Sequence, residues 1–282
     1  MSSLPKFLCV GAQKAGTTWL HEVLSTHPDV FLPRIKELFY FAEFEEGDNG
    51  SWRDHVILEA TIACCNEYVH QDRHSLRPGY LQYLLSFGAA DRFTEEWYKR
   101  VFSAGWDGAI SGEITPEYLS MSPEGIARIK ALLGDVKIIL ILRDPVERLW
   151  SQVRMVANES GRDPLEAYWD ISRGSALSRN SNYAKYVPIW QKHTLPDNLG
   201  IFNFHALARD PVKFYESVLD FLSLPAHESA RVGDVIHQGF RYELPENIAD
   251  DLTELMQPQN QFLNDVFGQD WKEGNPRMVS KI

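Results

Sequence analysis

Apolar positions along this chain follow two rhythms. Phe7 to Val10, Val136 to Leu142 and Leu199 to Phe204 are nearly continuous apolar runs. They are too unbroken for strands with one wet face, and they suit strands of a parallel sheet covered on both sides. Between them the spacing changes to three and four. Leu20, Val23 and Leu24 share one helical face, as do Val146, Leu149, Trp150 and Val153, then Phe214, Val218, Leu219 and Leu222. The punctuation agrees. His27-Pro28 ends the first helix, Asp144-Pro145 with Glu147 supplies cap, first-turn proline and capping-box acid, and Asp210-Pro211 starts the third. A shorter strand is expected just before Glu113 in GAISGEITPEYL. The tail ADDLTELMQPQNQFLNDVF reads as a packing helix with Leu252, Leu255, Phe262 and Phe267 inward.

Strands alternating with helices predict an α/β fold: one domain over residues 1–282, its central parallel sheet flanked by helices, with ligands at the carboxyl ends of the strands. No fixed-period repeat or low-complexity linker interrupts it. A helical insertion is expected at about residues 45–90, carrying Trp52, Tyr68, Tyr80, Tyr83, Phe87 and the histidines His55, His70 and His74.

The first strand runs into GAQKAGTTWL. Gly11 and Gly16 keep the spacing of a nucleotide phosphate loop, but Thr17 follows Gly16 where lysine is usual, and the lysine stands inside the loop as Lys14. A glycine loop that opens a helix aims backbone N–H groups at an anion. Gln13, Lys14, Ala15, Gly16, Thr17, Thr18 and Trp19 form the expected phosphate-binding segment, so the fold is read as P-loop-like. In LILRDPVERLWSQ, Arg143 ends the central strand and Ser151 lies two turns into the next helix. A guanidinium and a hydroxyl so placed can hold a second phosphate. Pairing of Arg143 with Asp144 or Glu147 is the competing reading.

GAQKAGTTWL, KELFYF, GEITPEYL and ILRDPVERLWS, in this order, resemble the sulfotransferases that use 3′-phosphoadenosine 5′-phosphosulfate, most closely the branch of heparan sulfate and related bacterial enzymes. The likeness continues from Asn182 to Pro225. It implies that Gln13 to Thr18 hold the 5′-phosphosulfate, that Lys14 contacts the leaving oxygen, and that Arg143 and Ser151 hold the 3′-phosphate. Gly239 and Arg241, in HQGFRYELP, match a loop that closes over the nucleotide. No metal is required on this reading, because Lys14 neutralises the charge that builds on the leaving oxygen. Two glutamates match positions used for the general base. Glu113 is the first choice and Glu37 the second, with a histidine as a further alternative. Lys36 is a candidate for binding the transferred group. Ile114 and Phe39 stand where relatives often carry lysine and histidine, which points away from a heparan-like acceptor.

A formal net charge of −11 argues against nucleic acid or anionic membrane as partner. The expected partner is a small-molecule, lipid or glycan acceptor. Cys9, Cys64 and Cys65 show no zinc or disulfide pattern, MSSLPK leaves no room for a signal peptide, and no apolar run reaches a membrane span, so a cytoplasmic protein is expected. Two alternatives stay open: a P-loop-type nucleotide kinase, disfavoured because Arg143 and not an acid ends the central strand, and a nucleotide-binding protein without turnover.

Overall fold

The structure, a computed structural model, describes residues 4–45, 51–71, 76–172, 180–234 and 242–279. Its sheet has the order β2-β3-β1-β4-β5-β6. These strands span Phe7–Gly11 (β1), Val30–Phe31 (β2), Ile110–Ile114 (β3), Lys137–Leu142 (β4), Leu199–Asn203 (β5) and Arg277–Met278 (β6). The first five pair in parallel, and β6 adds an antiparallel edge against β5. β1 and β4 are buried almost throughout, as their unbroken apolar runs require.

β1 lies between β3 and β4, which leave it in opposite directions through the sheet. That reversal opens a crevice at the carboxyl ends of these strands. Two helices border it: α1 (Thr17–Leu24), which follows β1, and α6 (Pro145–Ser160), which follows β4. The cap of α6 forms as its residues predict, with Asp144 accepting the Glu147 amide at 3.0 Å and Pro145 in the first turn. Asp210 does the same for the Lys213 amide at the head of α10 (Pro211–Leu222).

The span expected to hold an insertion contains α2 (Ser51–Gln71) and α3 (Pro78–Ser86). Arg53 docks α2 on the body. It is 1% exposed and pairs with Glu117 at 2.6 Å and Glu43 at 3.5 Å. α4 (Glu95–Val101) follows, then β3 and α5 (Pro123–Leu133).

Three expectations shift. Phe204 is not the end of a strand but the start of a short helix, α9 (Phe204–Arg209), because Asn203 turns its side chain to cap the His205 amide at 2.9 Å. Leu255 is 46% exposed on α11 (Glu246–Phe267), whose inward stripe is Leu252, Met256, Leu263 and Val266, with Phe262 half-buried. Glu113 does not follow its strand. It lies within β3.

Candidate active site

The phosphate loop owes its shape to its glycines. Gly16 has φ +85°, and a Cβ there would meet Leu207 Cδ2 at 2.7 Å; at Gly11, φ +153°, it would meet Leu119 Cβ at 2.9 Å. Both positions therefore need glycine for conformation and for room. The first-turn amides of α1 have no acceptor within the helix and face the crevice end of β1, the arrangement that favours an anion. Thr17 is buried and Thr18 half-buried at the same turn. Ala15 is wholly buried. Trp19 packs inward, its Nε1 donating to the Val232 carbonyl at 3.2 Å and its ring edge-on to Phe214. Its indole is thus core, and only its backbone is placed to serve the loop.

Arg143 reaches this loop from the end of β4. Its Nη1 donates to the Lys14 carbonyl at 3.0 Å and its guanidinium lies 4.5 Å from the Phe204 ring centroid. Nε and Nη2 also face Glu147 at 3.3 Å, so the competing ion pair exists, but its acid is 47% exposed and easily exchanged for another anion. Helix spacing puts Ser151 one turn beyond Glu147 and one turn before Met155. Met155 is where Lys14 ends, with Nζ 3.4 Å from Sδ. The stretch between Arg143 and Lys14 along α6 is therefore where Ser151 sits.

Two arginines that the sequence reading passed over join them. Arg148 is fully buried, and its hydrogen-bond partners are all neutral: Ser181 Oγ at 2.6 Å, Gln152 Oε1 at 2.8 Å and the Gln13 carbonyl at 3.4 Å. Burial pulls its guanidinium down to about 10. Arg154 is shifted down by burial and by Arg143. Burial also lowers Lys14. Glu159 opposes that shift, and Arg143, Arg154 and Lys36 add to it. A helix stripe of Arg148, Gln152, Met155 and Glu159, at i, i+4, i+7 and i+11, was the available signal for this face. Crowded cations in a chain of net charge −11 mark a built anion site. Gln13 completes the loop through its side chain, which accepts from Asn180 at 3.1 Å.

At the other rim, Lys36 and Glu37 hydrogen-bond to each other, both half-buried. Burial raises the Cys9 thiol, in the middle of β1, and both lie near enough to act on it as well. Glu37 and Phe39 have φ +66° and +56°, conformations that cost a non-glycine residue about 1–2 kcal/mol each. The Glu37 amide is tied to the Ile114 carbonyl at 3.1 Å. Phe39 is 3% exposed and packs edge-on against Trp52, itself 45% exposed.

Glu113 is elsewhere. It is 2% exposed, with Oε1 accepting from Thr115 and Tyr118, both at 2.7 Å, and Oε2 from Tyr98 at 2.5 Å. Burial raises its carboxyl while the three hydroxyls oppose that. The Glu113 carboxylate is sealed and bonded to three hydroxyls, whereas Glu37 is half-buried beside Lys36. The reason is the strand's length, which puts Glu113 inside the sheet where an exposed end was expected.

Of the histidines in the insertion, His55 and His70 are exposed, His55 pairing with Glu59, and His74 lies outside the described residues; elsewhere His21 and His27 bond the carbonyls of Pro33 and Pro225. Gly239 and Arg241 lie outside them as well. Tyr183 is fully buried in the core, beside Arg148. Among the described residues no group of His, Cys, Asp or Glu is arranged to hold a metal ion, and no helix is long and apolar enough to cross a membrane.

The chain is similar to proteins of known family. Human heparan sulfate glucosamine 3-O-sulfotransferase 3B1 is 25% identical over 229 residues, covering 78% of this chain and 46% of that protein. Mouse carbohydrate sulfotransferase 15 is 28% identical over 166 residues, covering 56% of this chain and 28% of that one. The chain thus spans about half or less of the length of these relatives. Among solved structures, a sulfotransferase from Alicyclobacillus acidocaldarius superposes with TM-score 0.65 at 23% identity, covering 92% of this chain and 94% of that one. The sulfotransferase domain of the curacin biosynthetic pathway gives 0.53 at 13%, covering 90% and 98%. These likenesses show the fold. A model described as the sulfotransferase family matches residues 5–228, most of the chain, and the chain therefore belongs to the sulfotransferase family.

Proposed function

We propose that this protein transfers a sulfonate group from 3′-phosphoadenosine 5′-phosphosulfate to a hydroxyl, or an amine, of a small-molecule, lipid or glycan acceptor. The observation that carries the reading is the junction of Arg143 with the Lys14 carbonyl. It joins the phosphate loop to the guanidinium at the end of β4, and Lys36, bonded to Glu37, lies near enough to act on the Lys14 ammonium, which supports reading them as one crevice.

The residues fit such a donor. Arg148 and Arg143 bring positive charge that neutral partners and one exposed glutamate leave largely uncompensated. When bound, the donor supplies an activated sulfonate and a phosphate leaving group. Lys14 and the α1 amides hold the 5′ end, and the Lys14 ammonium offsets charge developing on the leaving oxygen. Arg143 and Ser151 hold the 3′-phosphate, with Glu147 released from Arg143. Glu37 takes the acceptor's proton on its carboxylate, and Lys36 adds a positive charge beside it. Gly239 and Arg241 are carried over to the nucleotide on the resemblance alone.

The relatives' names refer to heparan sulfate glucosamine and carbohydrate. Here Trp52, exposed above the buried Phe39 ring, offers an apolar surface, which favours a ring or chain with an uncharged face over a densely sulfated polymer. Three unpaired cysteines suit a reducing compartment, and we assign the cytoplasm. Titration calorimetry with 3′,5′-adenosine bisphosphate and with ATP plus Mg²⁺ tests the reading. Tight binding of the bisphosphate without metal is expected; a clear preference for Mg-ATP would replace the sulfotransferase with the kinase.

A further inference from the structure

Glu113 is buried and titratable, and the proposed reaction gives it no role. Each of its three partners, however, touches the same neighbour. Thr115 Oγ1 donates to Glu113 and accepts the Leu38 amide at 3.1 Å. Tyr118 Oη donates to Glu113 and accepts the Phe41 amide at 3.2 Å. Tyr98 donates to the second carboxylate oxygen, stacks on Tyr40 at 4.3 Å between centroids, and meets Phe41 edge-on. All these contacts fall on residues 38–41, the segment directly after Glu37.

A hydroxyl has one proton. If that proton points at Glu113, the oxygen's lone pairs face the loop and can accept a backbone N–H. The single oxygen Oε1 imposes this on Thr115 and Tyr118 together, and each such chain polarises along its length. Without the carboxyl group either hydroxyl could rotate and compete as a donor. The loop needs such restraint, because Glu37 and Phe39 both hold left-handed backbone that an L-residue leaves readily.

Resting on the reading of the crevice as a sulfonate-transfer site, we propose that Glu113 is a positioning residue. Through Thr115, Tyr118 and Tyr98 it fixes the backbone of residues 38–41 and so aims Glu37 at the acceptor. The relay works in either charge state of Glu113. A neutral carboxyl with its proton toward Tyr98 still presents Oε1 as a carbonyl acceptor, and the amide of glutamine would do the same.

That equivalence supplies the test. Hydrogen–deuterium exchange of the peptide containing residues 37–42 and steady-state transfer kinetics are measured for wild type, Glu113→Gln, Glu113→Leu and Tyr118→Phe. Glu113→Gln is expected to keep the loop's protection and to lose at most about tenfold in kcat, against about a hundredfold or more for Glu37→Gln. Glu113→Leu and Tyr118→Phe should speed exchange of the loop about tenfold or more and lower kcat, with bisphosphate affinity within about twofold of wild type. Should Glu113→Leu not fold, Tyr118→Phe carries the same expectation. Two results would overturn the relay: Glu113→Gln as inactive as Glu37→Gln with normal loop exchange, which makes Glu113 the base, or unchanged loop exchange in Tyr118→Phe. Exchange needs no turnover. An enzyme without sulfonate transfer but with loop exchange that responds as stated would sink the proposed function and leave the relay standing.

Discussion

The two rims of the crevice are built on opposite principles. The donor rim, made by the phosphate loop and α6, is rich in cations: Lys14, Arg143, Arg148 and Arg154 gather there, with Glu147 paired to Arg143 and Glu159 acting on Lys14. It is held by backbone geometry, through two glycines and a helix start. The acceptor rim has one visible ion pair, Lys36–Glu37, and its order comes from beneath, through hydroxyls that Glu113 orients. One rim suits a ligand that brings negative charge. The other, on the proposed reading, removes a proton, and its buried polar groups hold one strained loop still.

The largest effect expected from this contrast is at Lys14. Replacing it by alanine should lower kcat about a thousandfold, read as radiolabelled sulfonate transfer, because no second ammonium occupies the loop. A near-normal rate would remove the donor rim's central role. Next comes Glu37→Gln, with a loss of about a hundredfold or more in kcat, while bisphosphate affinity stays within about twofold. A loss expressed only in affinity would place Glu37 on the donor side and erase the distinction between the rims.

A smaller effect concerns pH. Lys14 is lowered from the ordinary lysine range, chiefly by burial. A lysine carries its charge below its pKa, so kcat/KM should fall on the alkaline side at a pH below about 10.4, the value of a free lysine. In Lys14→Arg that limb should move upward, since arginine stays charged. An unmoved limb would assign it to another group.

Much of the donor rim was legible in the residues because its signals are local. Glycine spacing, an apolar run ahead of it and Asp144-Pro145 behind β4 each act within a few positions, and each appears where expected. Arg148 was not legible. Within VERLW it reads as one polar residue on an amphipathic helix, and only the docking of α6 against the Gln13 carbonyl turns it inward. The burial of Glu113 was not legible for a similar reason. Its burial depends on Tyr98, fifteen positions earlier on α4, and on β3 extending through Ile114. GAISGEITPEYL has no unbroken apolar run to reveal that extent. Leu255 shows the same limit in a helix, since the phase of α11 is set by what it packs on, and Met256 took the inward place.

If one cleft reads two phosphates with separate groups, binding of two nucleotides to two variants separates those groups directly. Arg143→Ala should weaken 3′,5′-adenosine bisphosphate about tenfold to a hundredfold and leave adenosine 5′-monophosphate nearly unchanged, whereas Lys14→Ala should weaken both. If Arg143→Ala affects the two nucleotides equally, or neither of them, the guanidinium does not read the 3′-phosphate and the single two-ended cleft is contradicted.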